Sequence, residues 1–151
     1  MDERDALKAL GEETFWREAH QDRPSCLYAG VEAYLDTATA SVGVVVSATE
    51  RAAYWLDGRS LGILCCTGTD DNDIKHIGGE IHQLDHVSAV DLAVDIHHDS
   101  GGHLYTGRQL VIGDPNRPDI MLDASPGRFP PDKCVQIEQF IDQVLAALAG
   151  R

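Results

Sequence analysis

The hydrophobic pattern is clearest near the C-terminus, where apolar residues recur with the period of an α-helix. They follow the spacing i, i+3, i+4, i+7, i+8 and i+11, which places them on one face of a helix. Pro131 suits the first turn of such a helix, and Gly150 suits its end. The sequence therefore predicts a C-terminal amphipathic helix whose apolar face contains Ile137, Phe140, Ile141, Val144, Leu145 and Leu148.

Most of the remaining chain shows the shorter period of β-strands, in which apolar and polar residues alternate. Asp57 and Gly58 separate two apolar runs, a pattern that is typical of a β-hairpin. Residues 2–20 are rich in Glu, Ala, Leu and Arg and predict an N-terminal helix, which the segment around Pro24 ends. We predict about seven antiparallel strands, at residues 27–35, 41–49, 51–56, 61–66, 90–97, 103–112 and 120–124.

The strand predicted at residues 90–97 has the most regular alternation. We expect one of its faces to be dry and the other to be an acidic surface, because alternate residues of a strand point to opposite sides. Residues 67–79, which include Gly78 and Gly79, are predicted to form a polar loop. The apolar face of the strand would contain Val90, Leu92, Val94 and Ile96, and the acidic face Asp91, Ala93, Asp95 and His97.

Composition restricts the class of protein. A length of 151 residues predicts one domain, and 43% apolar residues are sufficient for a hydrophobic core. Lys and Arg total 12 against 25 Asp and Glu, so the formal net charge is −13. Such a charge repels phosphate backbones and anionic lipid headgroups, which argues against binding nucleic acid. Because we find neither a secretory signal pattern nor a bilayer-spanning apolar run, we expect a cytoplasmic protein.

Residues 70–99 concentrate the acidic charge, with eight acids, one lysine and five histidines. His82 and His86 have the spacing of a zinc-binding helix, but Gln83 stands where the metalloprotease pattern has Glu. A calcium loop is excluded, because Lys75 occupies the position that needs glycine. We favour a solvated acidic face and expect no metal or cofactor. The alternative is an irregular cation site that uses Asp91, Asp95, His97 or His98.

The cysteines give no sign of a catalytic or metal-binding motif. They lie at positions 26, 65, 66 and 134 without a C-x-x-C pair, so we expect buried free thiols. An acyl-transfer enzyme would need a nucleophile held by a base. No catalytic signature and no Gly-rich nucleotide loop is present, so we predict a protein without catalytic residues. The candidates by residue type alone are Cys65, Cys66, His97 and His103.

Two segments resemble sequence patterns of bacterial pleckstrin-homology-like (PH-like) domains. One is TERAAYWLDG at residues 49–58, with Thr-x-x-Arg, an apolar strand and a turn, and the other is LDHVSAV at residues 84–90. The resemblance implies an α+β fold, in which a bent antiparallel barrel or sandwich of about seven strands is capped by the C-terminal helix. This PH-like barrel would cover residues 27–149 of a single domain spanning 1–151, with residues 1–23 as a helical extension.

PH-like domains are mostly recognition scaffolds, so the resemblance implies a non-enzymatic protein–protein interaction or adaptor module. Some members bind phosphoinositides through basic residues after the first strand, but DTATAS at residues 36–41 has none. Membrane association is therefore expected only through a protein partner. The acidic face would steer a partner with a basic surface. The candidate partner-binding residues are Asp85, Asp91, Asp95 and His97.

A second class of binding protein also fits the acidic composition. An acidic inhibitor, or a secretion-chaperone-like protein, would use Asp and Glu side chains to occupy a basic surface on its target. High salt would weaken such a complex sharply, because exposed charge pairs are screened, whereas a peptide held in a groove would lose less affinity. The sequence leaves the identity of the partner and the oligomeric state open.

Overall fold

A computed structural model describes residues 38–47, 50–68 and 74–150. It is an α+β structure with a four-stranded and a three-stranded antiparallel sheet and a C-terminal helix. The chain divides into two compact units, Met1–Ile81 and His82–Arg151. The predicted helix at residues 2–20 and the predicted strand at residues 27–35 lie outside the described residues.

The four-stranded sheet is built from strands that follow one another in both sequence and space. Its order is β1-β2-β3-β4, so each strand pairs with the next one along the chain. The predicted strands at residues 41–49, 51–56 and 61–66 are confirmed as its first three members. The bounds are β1 Ala40–Ser47, β2 Glu50–Asp57, β3 Ser60–Gly68 and β4 Ile74–Gln83.

The predicted Asp-Gly hairpin is confirmed between β2 and β3. Asp57 pairs with Ser60, which leaves Gly58 and Arg59 as a two-residue connection. Gly58 has a φ of +58°, and glycine with positive φ at the first central position is the requirement of a type II′ turn. The register then continues without a break to Glu50 opposite Thr67.

The fourth strand is a correction to the sequence analysis, which assigned residues 67–79 to a polar loop. Gly78 and Gly79, which are typical of loops in a sequence, both lie within β4. A Cβ atom at Gly79 would lie 2.0 Å from the carbonyl oxygen of Ile63 on β3. Glycine in this strand therefore marks a close approach of two backbones and not a loop.

The second unit contains a 3₁₀ helix, the three-stranded sheet and one α-helix. The sheet has the order β5-β6-β7, with β6 in the centre. The predicted strands at residues 90–97, 103–112 and 120–124 are confirmed, although each boundary shifts by one to three residues. The bounds are Leu84–His86 for the 3₁₀ helix, β5 Ala89–His98, β6 Leu104–Asp114, β7 Arg117–Asp123 and α1 Pro131–Ala149.

The predicted C-terminal helix is confirmed as α1, including its ends. Pro131 lies in the first turn, where it needs no hydrogen-bond donor, and the Gly150 N–H donates to the carbonyl of Ala146. The helix packs against β6 and β7. Among the described residues, no helix is long and apolar enough to cross a membrane. The buried helix residues include Ile137, Phe140, Ile141, Val144 and Leu148, which face a sheet whose buried residues include Leu110, Ile112, Ile120 and Leu122.

Arg108 joins β6 to one side of α1. Its Nε donates to Glu138 Oε2 at 2.6 Å, and its Nη2 donates to Asp142 Oδ1 at 2.7 Å. The backbone N–H of Arg108 also donates to Glu138 Oε1 at 2.7 Å. Glu138 and Asp142 are one helical turn apart, so a single guanidinium fixes the rotation of the helix over the sheet.

Candidate functional site

Strand β5 is the most exposed element of the described chain. It lies at one end of the three-stranded sheet and, among the described strands, pairs with β6 alone, from Ala89 opposite Gly113 to His98 opposite Leu104. All ten of its residues are exposed. Because a strand at the end of a sheet has one row of N–H and C=O groups that no neighbouring strand uses, β5 presents both a backbone edge and two faces of side chains.

The apolar face of β5 is exposed, which corrects the prediction that this face is dry. The exposed fraction rises from 37% at Val90 and 51% at Leu92 to 58% at Val94 and 59% at Ile96. We call these four residues the apolar row. They share a face of the sheet with the buried residues of β6, since Leu92 is paired with Leu110 and Val90 with Ile112.

The position of α1 explains why one face of a single sheet is dry in one part and exposed in another. The helix packs over β6 and β7, so it buries the apolar side chains of those two strands. The apolar row continues the same face on β5 and stays exposed. Alternation in the sequence predicts which residues share a face, but whether that face is covered depends on where the helix comes to rest.

Three of the four candidate partner-binding residues lie together on the opposite face of β5. They are separated by even numbers of positions along one strand, so the side chains of Asp91, Asp95 and His97 share a face, and all three residues are exposed. We call this surface the acidic face. Asp85 is also exposed but lies in the 3₁₀ helix that precedes β5, so the structure does not place it on the acidic face.

The turn that follows β5 contains a polar cluster that the sequence analysis did not identify beyond a turn. Asp99 Oδ1 accepts hydrogen bonds from the backbone N–H groups of Gly101 at 2.9 Å and His103 at 2.8 Å. Asp99 Oδ2 accepts from the Tyr105 hydroxyl at 3.2 Å and lies 3.1 Å from His103 Nδ1. Hydrogen bonds to the carboxylate lower the pKa of Asp99, and the bond from the His103 backbone N–H has the largest effect. An Asp followed by Ser-Gly-Gly was the sequence signal for this arrangement, because Asx side chains bond to nearby backbone N–H groups.

The structure describes most of the side chains that the sequence offers as candidates for catalysis or metal binding. Among the residues described, no group of three His, Cys, Asp or Glu side chains is placed to hold a metal ion. His82 lies at the end of β4 and His86 in the 3₁₀ helix, so they do not form the helical i, i+4 pair that a zinc helix needs. His97 and His103 are exposed, and His103 contacts Asp99.

The two cysteines whose side chains the structure describes are free thiols. Cys65 and Cys134 are free, as predicted, but they are half-buried and not buried. Burial, with added repulsion from Glu50 and Glu80, raises the pKa of Cys65. The thiolate is the nucleophilic form, so these surroundings oppose attack by Cys65. Cys26 and the side chain of Cys66 lie outside the described part of the chain.

Comparisons with known proteins returned no relative. No protein-family model matches the chain, no curated protein matches it, and no solved structure matches it. The exposed strand β5 and its two faces are therefore the basis for a proposed function.

Proposed function

We propose that this protein is a non-enzymatic protein-binding module of the PH-like type, and that it binds a partner with a basic surface through β5. The order of elements supports the PH-like fold: four antiparallel strands, then three, then one C-terminal helix. The two segments that carry the resemblance fit this proposal, since residues 50–58 extend along β2 into its hairpin and residues 84–90 lead into β5.

One observation carries the proposal of protein binding: β5 is exposed on both faces along its whole length. Burying the apolar row against a partner would stabilise the complex by about 25 cal/mol for each Å² of apolar surface removed from water. Exposed apolar surface beside charged residues is typical of a protein-interaction site. The acidic face and the net charge of −13 favour a basic partner over an acidic one.

The local chemistry also supports a binding role without catalysis. A nucleophilic cysteine needs surroundings that lower its pKa, whereas burial raises the pKa of Cys65. The Asp99 cluster consists of contacts with the turn after β5 and with Tyr105 at the start of β6, and both of the Asp99 carboxylate oxygens already accept hydrogen bonds there. The hydrogen bonds of Asp99 therefore stabilise the connection between β5 and β6.

A charge-matched capture experiment tests the proposal. Proteins are captured from an extract of the native cells, at low and at high salt, with three tagged forms of the full chain. These are the wild type, an Asp91→Asn/Asp95→Asn variant and an Asp119→Asn/Asp132→Asn variant. Asp119 and Asp132 are exposed and belong to β7 and α1, not to β5, and the second variant has the same net charge as the first. We expect the β5 variant to retain about fivefold less of a basic partner, since two exposed charge pairs are lost. Equal retention by both variants would exclude the acidic face as the binding surface.

The salt dependence separates this proposal from the acidic-inhibitor alternative. The exposed acidic face supports both, because either type of protein would place Asp91 and Asp95 against positive charges. A partner that is also held by the apolar row remains bound when charges are screened beyond about 8–10 Å. Complete loss of the partner at high salt would favour the acidic inhibitor.

A further inference from the structure

The open edge of β5 fits a particular kind of partner segment, an inference that rests on the proposed function and specifies its ligand. In the described part of the chain, β5 hydrogen-bonds to β6 only. The other edge, ten residues long, can accept an added strand through main-chain hydrogen bonds. Such addition supplies affinity from the backbone and selectivity from the side chains on each face.

The two edges of this sheet differ in how they are protected against an added strand. Strand β7 carries Arg117 and Pro118, and its pairing with β6 is irregular between Ile112 and Asp114. Charged residues, proline and irregular pairing are the usual means of blocking an edge. Strand β5 has the sequence AVDLAVDIHH, with no Lys, Pro or Gly, and its register with β6 is continuous over ten pairs. The formal charges on β5 at pH 7 are those of Asp91 and Asp95, which repel an acidic strand and attract a basic one. This edge is therefore open to a basic segment.

The side chains of β5 specify the pattern of the added strand. Side chains directly opposite each other on paired strands are about 4.5–5.5 Å apart, so each face of the new strand meets one face of β5. Apolar residues would extend the apolar row. Basic residues would lie opposite Asp91 and Asp95, which are four positions apart on the acidic face. A second copy of this chain would bring a further charge of −13, so the charge favours a basic segment.

We propose that β5 binds an extended segment in which two basic residues four positions apart alternate with apolar residues. The pattern is basic, apolar, any residue, apolar, basic, followed by a further apolar residue. The apolar side chains lie with Leu92, Val94 and their neighbours. The basic side chains pair with Asp91 and Asp95.

Synthetic peptides test this directly on the full chain. The probe is a fluorescent Lys-Val-Thr-Val-Lys-Val-Thr peptide, and its control has the same composition in the order Val-Val-Lys-Lys-Val-Thr-Thr. Binding is measured by fluorescence anisotropy at about 0.15 M salt, an ionic strength at which distant charges are screened. Amide NMR signals of residues 89–98 report whether β5 is the strand that binds. We expect the alternating peptide to bind at least about tenfold more tightly than its control, because only alternation satisfies both faces.

Matched variants separate strand addition from simple charge attraction. Val94→Lys alters the apolar row, and Met121→Lys makes the same change at an exposed residue of β7. We expect Val94→Lys to weaken the alternating peptide about tenfold and Met121→Lys to leave it within about twofold. The Asp91→Asn/Asp95→Asn variant should weaken it about fivefold.

Three results would overturn the inference, and each has a different consequence for the proposed function. Equal binding of both peptides, unaffected by Val94→Lys, would mean charge attraction without strand addition. Failure of both peptides to bind, with a basic protein still captured through Asp91 and Asp95, would exclude an extended ligand but retain the binding surface. A stable dimer of the wild-type chain that Val94→Lys dissociates would assign the edge to a second copy.

Discussion

Asp99 shows how one side chain can organise a connection between two strands. The residues between β5 and β6 contain adjacent glycines, Gly101 and Gly102, which contribute no side-chain contacts. The carboxylate of Asp99 instead accepts from the backbone N–H groups of Gly101 and His103 and from the Tyr105 hydroxyl. The ionised form is the better acceptor, which is why these bonds lower the pKa of Asp99.

The lowered pKa predicts a local loss of order in acid. Because the pKa is lower in the folded protein than in the unfolded chain, the contribution of Asp99 is complete above its unfolded-state pKa. It is lost as the pH falls through the lowered value. NMR titration of the Gly101 and His103 amides should give a midpoint below the usual range of an aspartate. The Asp99→Asn variant should lose this transition and Asp119→Asn should keep it; an unchanged transition in Asp99→Asn would contradict the assignment.

Gly107 on β6 is required by the path of the backbone. A Cβ atom at this position would lie 2.0 Å from the carbonyl oxygen of Ala124. That oxygen belongs to a main chain whose position is held by the bond from Ala124 N–H to the Arg108 carbonyl, at 2.8 Å. The backbone must therefore move to accept any other residue.

We expect Gly107→Ala to lower the free energy of unfolding by about 1–3 kcal/mol, the usual cost of overpacking. Gly113→Ala is the matched control on the same strand. Its nearest neighbour would be a side-chain oxygen of Asp119 at 3.4 Å, an ordinary contact distance. Urea unfolding of both variants measures the difference. Equal stability of the two variants would show that β6 and the segment at Ala124 are not in close contact.

At the level of elements, α1 supplies the buried face that completes the second unit. Ile141 is fully buried on this helix, whereas Val135 on the same helix is 55% exposed. Because a charge buried without a partner costs several kcal/mol, we expect Ile141→Asp to lose more than about 3 kcal/mol of stability or to unfold. Val135→Asp should change stability by less than about 0.5 kcal/mol. Thermal unfolding followed by circular dichroism distinguishes the two, and a cooperative Ile141→Asp variant with an unchanged Tm would contradict the helix placement.

The elements differ in how far the sequence could predict them. The helix α1 was predictable because its period repeats over several turns and its ends carry Pro131 and Gly150. Strand β4 was not, because Gly78 and Gly79 are typical loop residues in a sequence. The reason for Gly79 lies on a different strand, at the carbonyl of Ile63, and such a long-range contact leaves no local pattern. The predicted strand at residues 27–35 stays a prediction, since it lies outside the described residues.

For the whole molecule, net charge and the open edge of β5 act in opposite directions. A charge of −13 makes copies of the chain repel one another at pH 7. The edge and the apolar row favour association, as exposed strand edges do. Charge repulsion disappears as the pH approaches the isoelectric point near 4.7.

We therefore expect light scattering of the wild-type chain to rise as the pH approaches 4.7. Val94→Lys should reduce this association, because a lysine on an edge strand opposes pairing with another strand. Met121→Lys changes the net charge equally but lies on β7, so it should associate like the wild type apart from the shift in isoelectric point. Equal suppression by both variants would mean that net charge alone controls the association.

The pattern of residues along the chain was sufficient to predict the confirmed strands, the Asp57–Ser60 hairpin and the helix α1. It also predicted that Asp91, Asp95 and His97 share one face of a strand. These features follow from local periods and turn chemistry, which neighbouring residues set. Whether the apolar row is buried followed from the packing of α1 over β6 and β7, a relation between distant parts of the chain. Alternation divides a strand into two faces, but burial depends on what lies against each face. The exposure of the apolar row is therefore decided by the tertiary structure.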